Sequence, residues 1–207
     1  MFDLSLLTEL SSYGTATLLE SGPDVKMLPR SISPLYTPLT LVGEAFTVSA
    51  LPGDNLSVHL ALADAPPGSV LVVSMGGDTT HGFWGEIMTE AAMARGIVGL
   101  VTDGAVRDTR EIRSRGFPVF CGGICIRGSK KMARGSSEQV ISLSGTAIEN
   151  GEVVVGDDDG VVVVSPSDIP VLLDRARARH EMEQAIMTRI RHGELTLDLL
   201  NLRNRSG

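Results

Sequence analysis

Residues 84–111, WGEIMTEAAMARGIVGLVTDGAVRDTRE, write out a helix, a strand and the start of a second helix with almost no linker between them. Glu86 to Arg95 is built from strong helix formers. Gly96 stands where a helix-ending glycine is expected. Ile97 to Thr102 is a short apolar run, suited to a strand covered on both faces. Asp103-Gly104 is turn chemistry, and Arg107-Asp108 opens another helix. In a parallel strand–helix–strand unit the helix starts at the carboxyl edge of one strand, and the next strand climbs back to that edge. Glu86, Arg107 and Asp108 are therefore expected on one rim, although they are far apart in sequence. Two carboxylates and a guanidinium placed together can hold a divalent cation beside an anionic substrate.

The same argument applies upstream. Leu41 to Leu51 alternates loosely and reads as a strand. Pro52-Gly53-Asp54-Asn55 is a turn, and Asp54 or Asn55 is a suitable N-cap for a helix over 55–64. Ser69 to Met75 is a buried strand. The expected strands deliver Asp54-Asn55, the loop Gly76 to Gly85, and Arg107-Asp108 to a common edge, where open α/β sheets bind ligands.

The remaining chain is read more coarsely. Residues 3–11 and Thr15 to Glu20 have helical spacing, and 21–40 form a proline-rich wrapping loop. Phe117 to Phe120 is a strand. Residues 121–147 are rich in Gly and Ser with little helical character. Glu152–Val155 and Val161–Val164 flank Gly156-Asp157-Asp158-Asp159-Gly160 as a hairpin. Ser167 is expected to cap a long helix over 168–192, which Gly193 stops. The leucine-rich tail is expected to dock on its own body or on a neighbouring subunit. The whole reads as a single layered α/β domain over 1–207, with 1–40 wrapping it and 168–207 forming a terminal helix and tail. It does not look like a regular dinucleotide fold.

Composition narrows the function. A chain of 207 residues, 43% hydrophobic, can bury a core. A net charge of −7 argues against nucleic acid as a main partner. No segment approaches the ~18 apolar residues of a membrane span, and the first residues lack a basic, then apolar, leader. The expectation is a soluble cytoplasmic protein with a small-molecule partner. Cys121 and Cys125 have no matching second pair for zinc. Asp157-Asp158-Asp159 reads as a hairpin loop rather than a metal cluster. Gly123 to Lys130 imitates a phosphate loop, but Ser and Lys are reversed and no helix follows, so it is rejected.

Each candidate also has a plain structural reading. Asp108-x-x-Glu111 fits a capping box, which spacing alone favours. An acid at Glu86 suits a helix start. Asn55 and His59 fit a cap and a lateral side chain, and His81 and Trp84 sit in a glycine-rich loop as pocket lining or as cover. In the functional reading Asp108 is a ligand of Mg2+ or Mn2+. Arg107 binds substrate and stabilises charge on a carbonyl oxygen. Glu86 holds or activates a water. The Ile87 and Met88 amides take a carboxylate. Gly82 and Gly85 let a ligand approach. No lysine occurs between residues 41 and 110, so the front half offers no amine for an imine.

The spacing of Glu86, Arg107-Asp108 and Glu111 resembles the signature of class II pyruvate aldolases acting on 4-hydroxy-4-methyl-2-oxoglutarate and 4-carboxy-4-hydroxy-2-oxoadipate. These aldolases share the RraA-like fold with the protein regulator of ribonuclease E activity. Pro52–Asn55, Trp84–Glu86, Asp103–Asp108, Phe117–Val119 and Asp157–Val161 also resemble family landmarks, and the likeness runs from about residue 10 to 200. It implies a layered α/β(β)α, swivelling-domain-like fold. It implies metal-dependent retro-aldol cleavage of 4-hydroxy-2-oxo acids to pyruvate, with oxaloacetate decarboxylation through the same enolate. By resemblance Asp108 is the metal ligand, Arg107 contacts the pyruvyl group, and Glu86 orders a metal-side water. Gly85, Ile87, Met88 and Asn55 line the substrate site. A glutamate from an adjacent subunit, Glu183 or else Glu181, completes it in a homotrimer or dimer of trimers. The alternative is a non-catalytic, protein-binding regulator of ribonuclease activity. A quinone-biosynthesis methyltransferase finds no glycine-rich cofactor loop.

Overall fold

The computed structural model describes residues 4–203. Asp3, which the sequence places in the first helix, lies outside them. The chain begins with α1 (Leu4–Ser12) and α2 (Thr15–Ser21), followed by two short strands, β1 (Lys26–Met27) and β2 (Ser33–Pro34). Then come β3 (Leu41–Ser49), α3 (Leu56–Asp64), β4 (Ser69–Ser74), β5 (Gly82–Trp84), α4 (Glu86–Ala94) and β6 (Gly99–Thr102). β7 (Ala105–Val106), α5 (Thr109–Ser114), β8 (Val119–Cys121) and β9 (Gly123–Ile124) complete the front half. The back half holds β10 (Ser136–Ser137), the hairpin β11 (Ile141–Leu143) and β12 (Thr146–Ile148), and the hairpin β13 (Val153–Asp157) and β14 (Gly160–Val164). A 3-10 turn, Pro166–Asp168, leads into α6 (Ile169–Arg191), and α7 (Thr196–Leu199) ends the described chain.

The main sheet runs β1-β14-β13-β3-β4-β6-β8-β2, with β10 paired to β3. β3, β4, β6 and β8 are parallel neighbours, as the apolar runs lead one to expect. Every residue of β4 and β6 is buried, which suits strands covered on both faces. A second, small parallel sheet, β5-β7-β9, is built from the loops that leave the carboxyl ends of the main strands. This extra layer was not legible as strands, because two- and three-residue strands have no measurable periodicity.

Three apolar clusters hold the layers together. Phe46, Val58, Leu71, Phe83, Trp84, Met88 and Ala92 join α3 and α4 to one face of the sheet and to the small sheet. Leu41, Val70, Val72, Phe120, Leu143 and Ile148 pack the hairpin β11–β12 on the other face. α1, α2 and the first half of α6 cover Val153, Val155, Val162 and Val164 of the terminal hairpin. The Asp157–Asp159 loop pins the amino-terminal region: Asp157 accepts from the Thr15 N–H and hydroxyl, both at 2.7 Å, and Asp158 accepts from Leu39 N–H at 2.7 Å.

Several sequence expectations need correction. The long helix starts at Ile169, and Ser167 lies in the preceding 3-10 turn, bonded to Ser165 and Asp168 rather than to a helix amide. The tail is not docked on its own body, since Leu195, Leu197 and Leu200 are exposed. No described helix is long and apolar enough to cross a membrane.

Candidate functional site

A cavity of about 180 Å³ opens at the carboxyl edge of the parallel strands. It is lined by Asn55, His59, Gly82, Phe83, Gly85, Ile87, Met88, Arg107 and Asp108, and closed on the far side by Gly128, Ser129 and Lys131. The separate loop ends that the sequence placed on one rim therefore meet.

Asp108 is the hinge of this arrangement. It sits in the left-handed region, φ 56° and ψ 42°, one residue ahead of α5. Asp tolerates that conformation better than most residues, at a cost of about 1–2 kcal/mol. Its side chain does not cap α5, so the capping-box reading fails. The turned backbone swings the carboxylate across to the start of α4, where Oδ2 accepts from the Glu86 N–H at 3.0 Å. The same oxygen lies 3.7 Å from Arg107 Nε. Oδ1 has no partner among the described residues.

Arg107 is positioned by its backbone, whose N–H donates to the Trp84 carbonyl at 2.8 Å. Gly85 makes room: a Cβ there would collide with Asp108 Oδ2 and stand 3.1 Å from Arg107 Cγ. A Cβ at Gly82 would collide with the Cys125 carbonyl. These two glycines thus admit the protein's own site residues and neighbouring backbone, and both also line the cavity. The Ile87 and Met88 amides follow Glu86 in the first turn of α4 and have no acceptor among the described residues.

Glu86 departs from expectation. Its Oε1 is bonded to Arg115 Nη2 at 2.6 Å, and the side chain does not line the cavity. Arg115 also binds Glu90 and is itself part of α5's C-cap. No spacing in the sequence pointed to Arg115. Trp84 is fully buried, stacks on Phe117 at 6.0 Å and donates to Thr89 Oγ1, so it belongs to the core. His81 pairs with Asp78 at 2.8 Å and does not line the cavity. Burial opposes ionisation of Asp78, but the Thr80 and His81 hydrogen bonds outweigh it and bring the carboxyl to about 2. Glu183 lies on α6, ion-paired with Arg179 at 2.8 Å, away from this cavity's lining.

The far wall was missed. Ser129 belongs to the rejected imitation of a phosphate loop and Lys131 directly follows it, and they reach the cavity only because that segment folds back over residues 53–55. The lysine argument drawn from the front half is thereby incomplete, since Lys131 supplies an amine. On the floor, Asn55 Nδ2 donates to the Phe83 carbonyl at 2.7 Å, which orients the amide. Asn55 Oδ1, His59 Nε2 and Ser129 Oγ are buried and unpartnered. Burial, then the charge of Lys131, pushes the His59 pKa below its ordinary value. Buried polar atoms without partners are expensive, and several around one cavity indicate a polar occupant.

The fold and this rim define a class. The sequence model of the family described as RraA-like: Aldolase/RraA matches residues 15–163, and the chain belongs to that family. It is 34% identical, over 88% of its length and 87% of the relative's, to a Halalkalibacterium halodurans protein named "Putative 4-hydroxy-4-methyl-2-oxoglutarate aldolase". Among solved structures it is similar to an uncharacterized protein from Pseudomonas syringae pv. tomato, with a TM-score of 0.87 and 29% identity over 97% of this chain and 94% of that one. It is also similar to the RNA-processing inhibitor RraA from Thermus thermophilis, with a TM-score of 0.68 and 25% identity over 73% of this chain and 92% of that one.

Proposed function

We propose that the cavity binds a 4-hydroxy-2-oxo acid and cleaves it, with a divalent cation, to pyruvate and a second carbonyl product. The observation that carries this reading is the Arg107 guanidinium beside the Asp108 carboxylate, at the mouth of a cavity lined by unpartnered polar atoms. The name of the Halalkalibacterium relative points the same way.

The cation fits Asp108, whose Oδ1 is unpartnered and whose backbone holds it toward the α4 start. No cluster of three or more His, Cys, Asp or Glu suited to a metal occurs among the described residues. The site therefore suits a hard ion such as Mg2+ or Mn2+, which keeps several waters and takes one or two carboxylates together with substrate oxygens. When bound, such an ion supplies Lewis-acid polarisation of the 2-oxo group.

The chain's own groups do the rest. The free amides of Ile87 and Met88 at the positive end of α4 receive the substrate carboxylate. Arg107 donates to the 2-oxo oxygen and stabilises the negative charge that develops there. A water ordered by Glu86 accepts the 4-hydroxyl proton, the C3–C4 bond breaks, a carbonyl forms at C4, and the electron pair passes to the pyruvate enolate. Protonation at C3 then gives pyruvate. Oxaloacetate losing CO2 leaves the same enolate, so decarboxylation accompanies cleavage. Glu86, drawn toward Arg115, orders water at the cavity edge rather than touching substrate. Asn55, His59, Ser129 and Lys131 face the distal half of the substrate. Glu183 of a neighbouring subunit, in a trimer or dimer of trimers, closes the site.

The test is release of pyruvate from 4-hydroxy-4-methyl-2-oxoglutarate and from oxaloacetate with Mg2+ or Mn2+, abolished by chelator. Lys131 makes an imine the competing route. Borohydride reduction in the presence of pyruvate would leave a covalent adduct on Lys131 if that route operates, and none if the proposal holds. The likeness to the Thermus RraA favours a second reading, a protein-binding regulator without catalysis. Metal-loaded protein inert on a panel of 2-oxo acids would select it.

A further inference from the structure

The far wall of the cavity is a segment with little support of its own. Arg127, Gly128, Lys130, Lys131, Met132 and Arg134 are all exposed. The segment is held instead by the turn ahead of α3. Lys130 N–H donates to the Gly53 carbonyl at 2.8 Å, and Asn55 N–H to the Lys130 carbonyl at 2.9 Å, an isolated parallel bridge. The side chain of Asp54, only 6% exposed, fastens the rest. Its Oδ2 accepts from Met132 N–H at 2.7 Å and from Ala133 N–H at 3.2 Å, while Oδ1 accepts from Leu56 N–H at 2.9 Å. Asp54 does not line the cavity, yet Met132, which its side chain fastens, follows Lys131, and Lys130, held by the backbone of Gly53 and Asn55, follows Ser129; Ser129 and Lys131 both line the cavity. Hydrogen bonds to an ionised carboxylate are about twice as strong as neutral ones. The Leu56 amide, opposed by burial and reinforced by the Met132 and Ala133 amides and the Lys131 charge, keeps this carboxyl below the usual Asp range.

We propose that Asp54 is a positioning residue that clasps 128–133 onto the start of α3, and so sets Ser129 and Lys131 against the bound substrate. The kinetic part rests on the aldolase reading. The clasp itself does not.

Asp54→Asn separates the two halves of the clasp. The amide oxygen can still accept from Leu56, but the amide nitrogen would confront two further donors, Met132 and Ala133 N–H. The folded variant is expected to show a KM for oxaloacetate raised about tenfold, with kcat falling less than KM rises, because binding rather than chemistry is loosened. Trypsin should cut within 127–134, at Arg127, Lys130, Lys131 or Arg134, about tenfold faster than in the wild type, because the segment opens locally. Ala133→Pro removes one donor and leaves Asp54 and α3 untouched. It should shift both readouts in the same direction, and it carries the test alone if Asp54→Asn does not fold. Cleavage at the wild-type rate in either folded variant would overturn the clasp. A fall in kcat with KM unchanged would overturn the positioning role. If the wild type turns over no 2-oxo acid, proteolysis still decides the clasp, so the two failures are distinguishable.

Discussion

At the scale of single residues, the site turns on Arg107, Asp108 and His59. Arg107→Ala should lower kcat by about 10²–10³, the loss typical of removing one group that stabilises developing oxyanion charge. Steady-state kinetics on oxaloacetate would show this, and a change confined to KM would contradict it. His59 should titrate below 6.5, because burial and then Lys131 disfavour its charged form. The sign follows: a histidine depressed in the folded state contributes its stability in full above about 6.5, and loses that contribution as the pH falls through the folded value. A midpoint at or above 6.5 in a proton NMR titration would contradict the burial assigned to it. The pair Arg107-Asp108 was legible because strand–helix–strand geometry fixes which residues end at the rim. The direction of the Asp108 side chain was not legible. A capping box and a left-handed turn that throws the carboxylate to another helix share the same residues, and only the backbone angle separates them. Glu86 was placed at the correct helix start beside Asp108, but its ion pair with Arg115, which arrives from the far end of α5, was not foreseen.

At the scale of elements, the short apolar runs were enough to find the parallel strands, because strands covered on both faces must be apolar throughout. The small sheet β5-β7-β9 and the wall at 128–133 were not legible, because their positions come from long-range backbone pairing rather than local pattern. The acidic hairpin illustrates a correct reading with an unforeseen purpose. Asp157-Asp158-Asp159 forms a turn, as expected, and also anchors α2 and the wrapping loop. Asp157→Ala leaves the Thr15 amide and hydroxyl without their acceptor, and should cost about 1–3 kcal/mol. A urea titration should show a lower midpoint with kcat unchanged, because the cavity lies at another edge of the sheet. An unchanged midpoint would show that the turn alone suffices.

At the scale of the whole molecule, the second half of α6 and the tail present Met182, Met187, Ile190, Leu195, Leu197 and Leu200 as exposed apolar side chains. Apolar surface of that extent calls for a partner. Sedimentation should find a trimer or a dimer of trimers, whereas a monomer at assay concentration would remove Glu183 from the site. For assembly the sequence offers the leucine-rich tail and the family resemblance, neither of which fixes its geometry. In the proposed function, Asp108 holds a cation next to Arg107 in a pocket for 2-oxo acids. The most direct test is pyruvate release from 4-hydroxy-4-methyl-2-oxoglutarate, with and without Mg2+, by the wild type and by Asp108→Ala. Metal-dependent turnover is expected in the wild type, and neither turnover nor a metal response in the variant. Equal, metal-stimulated turnover by both proteins would contradict it.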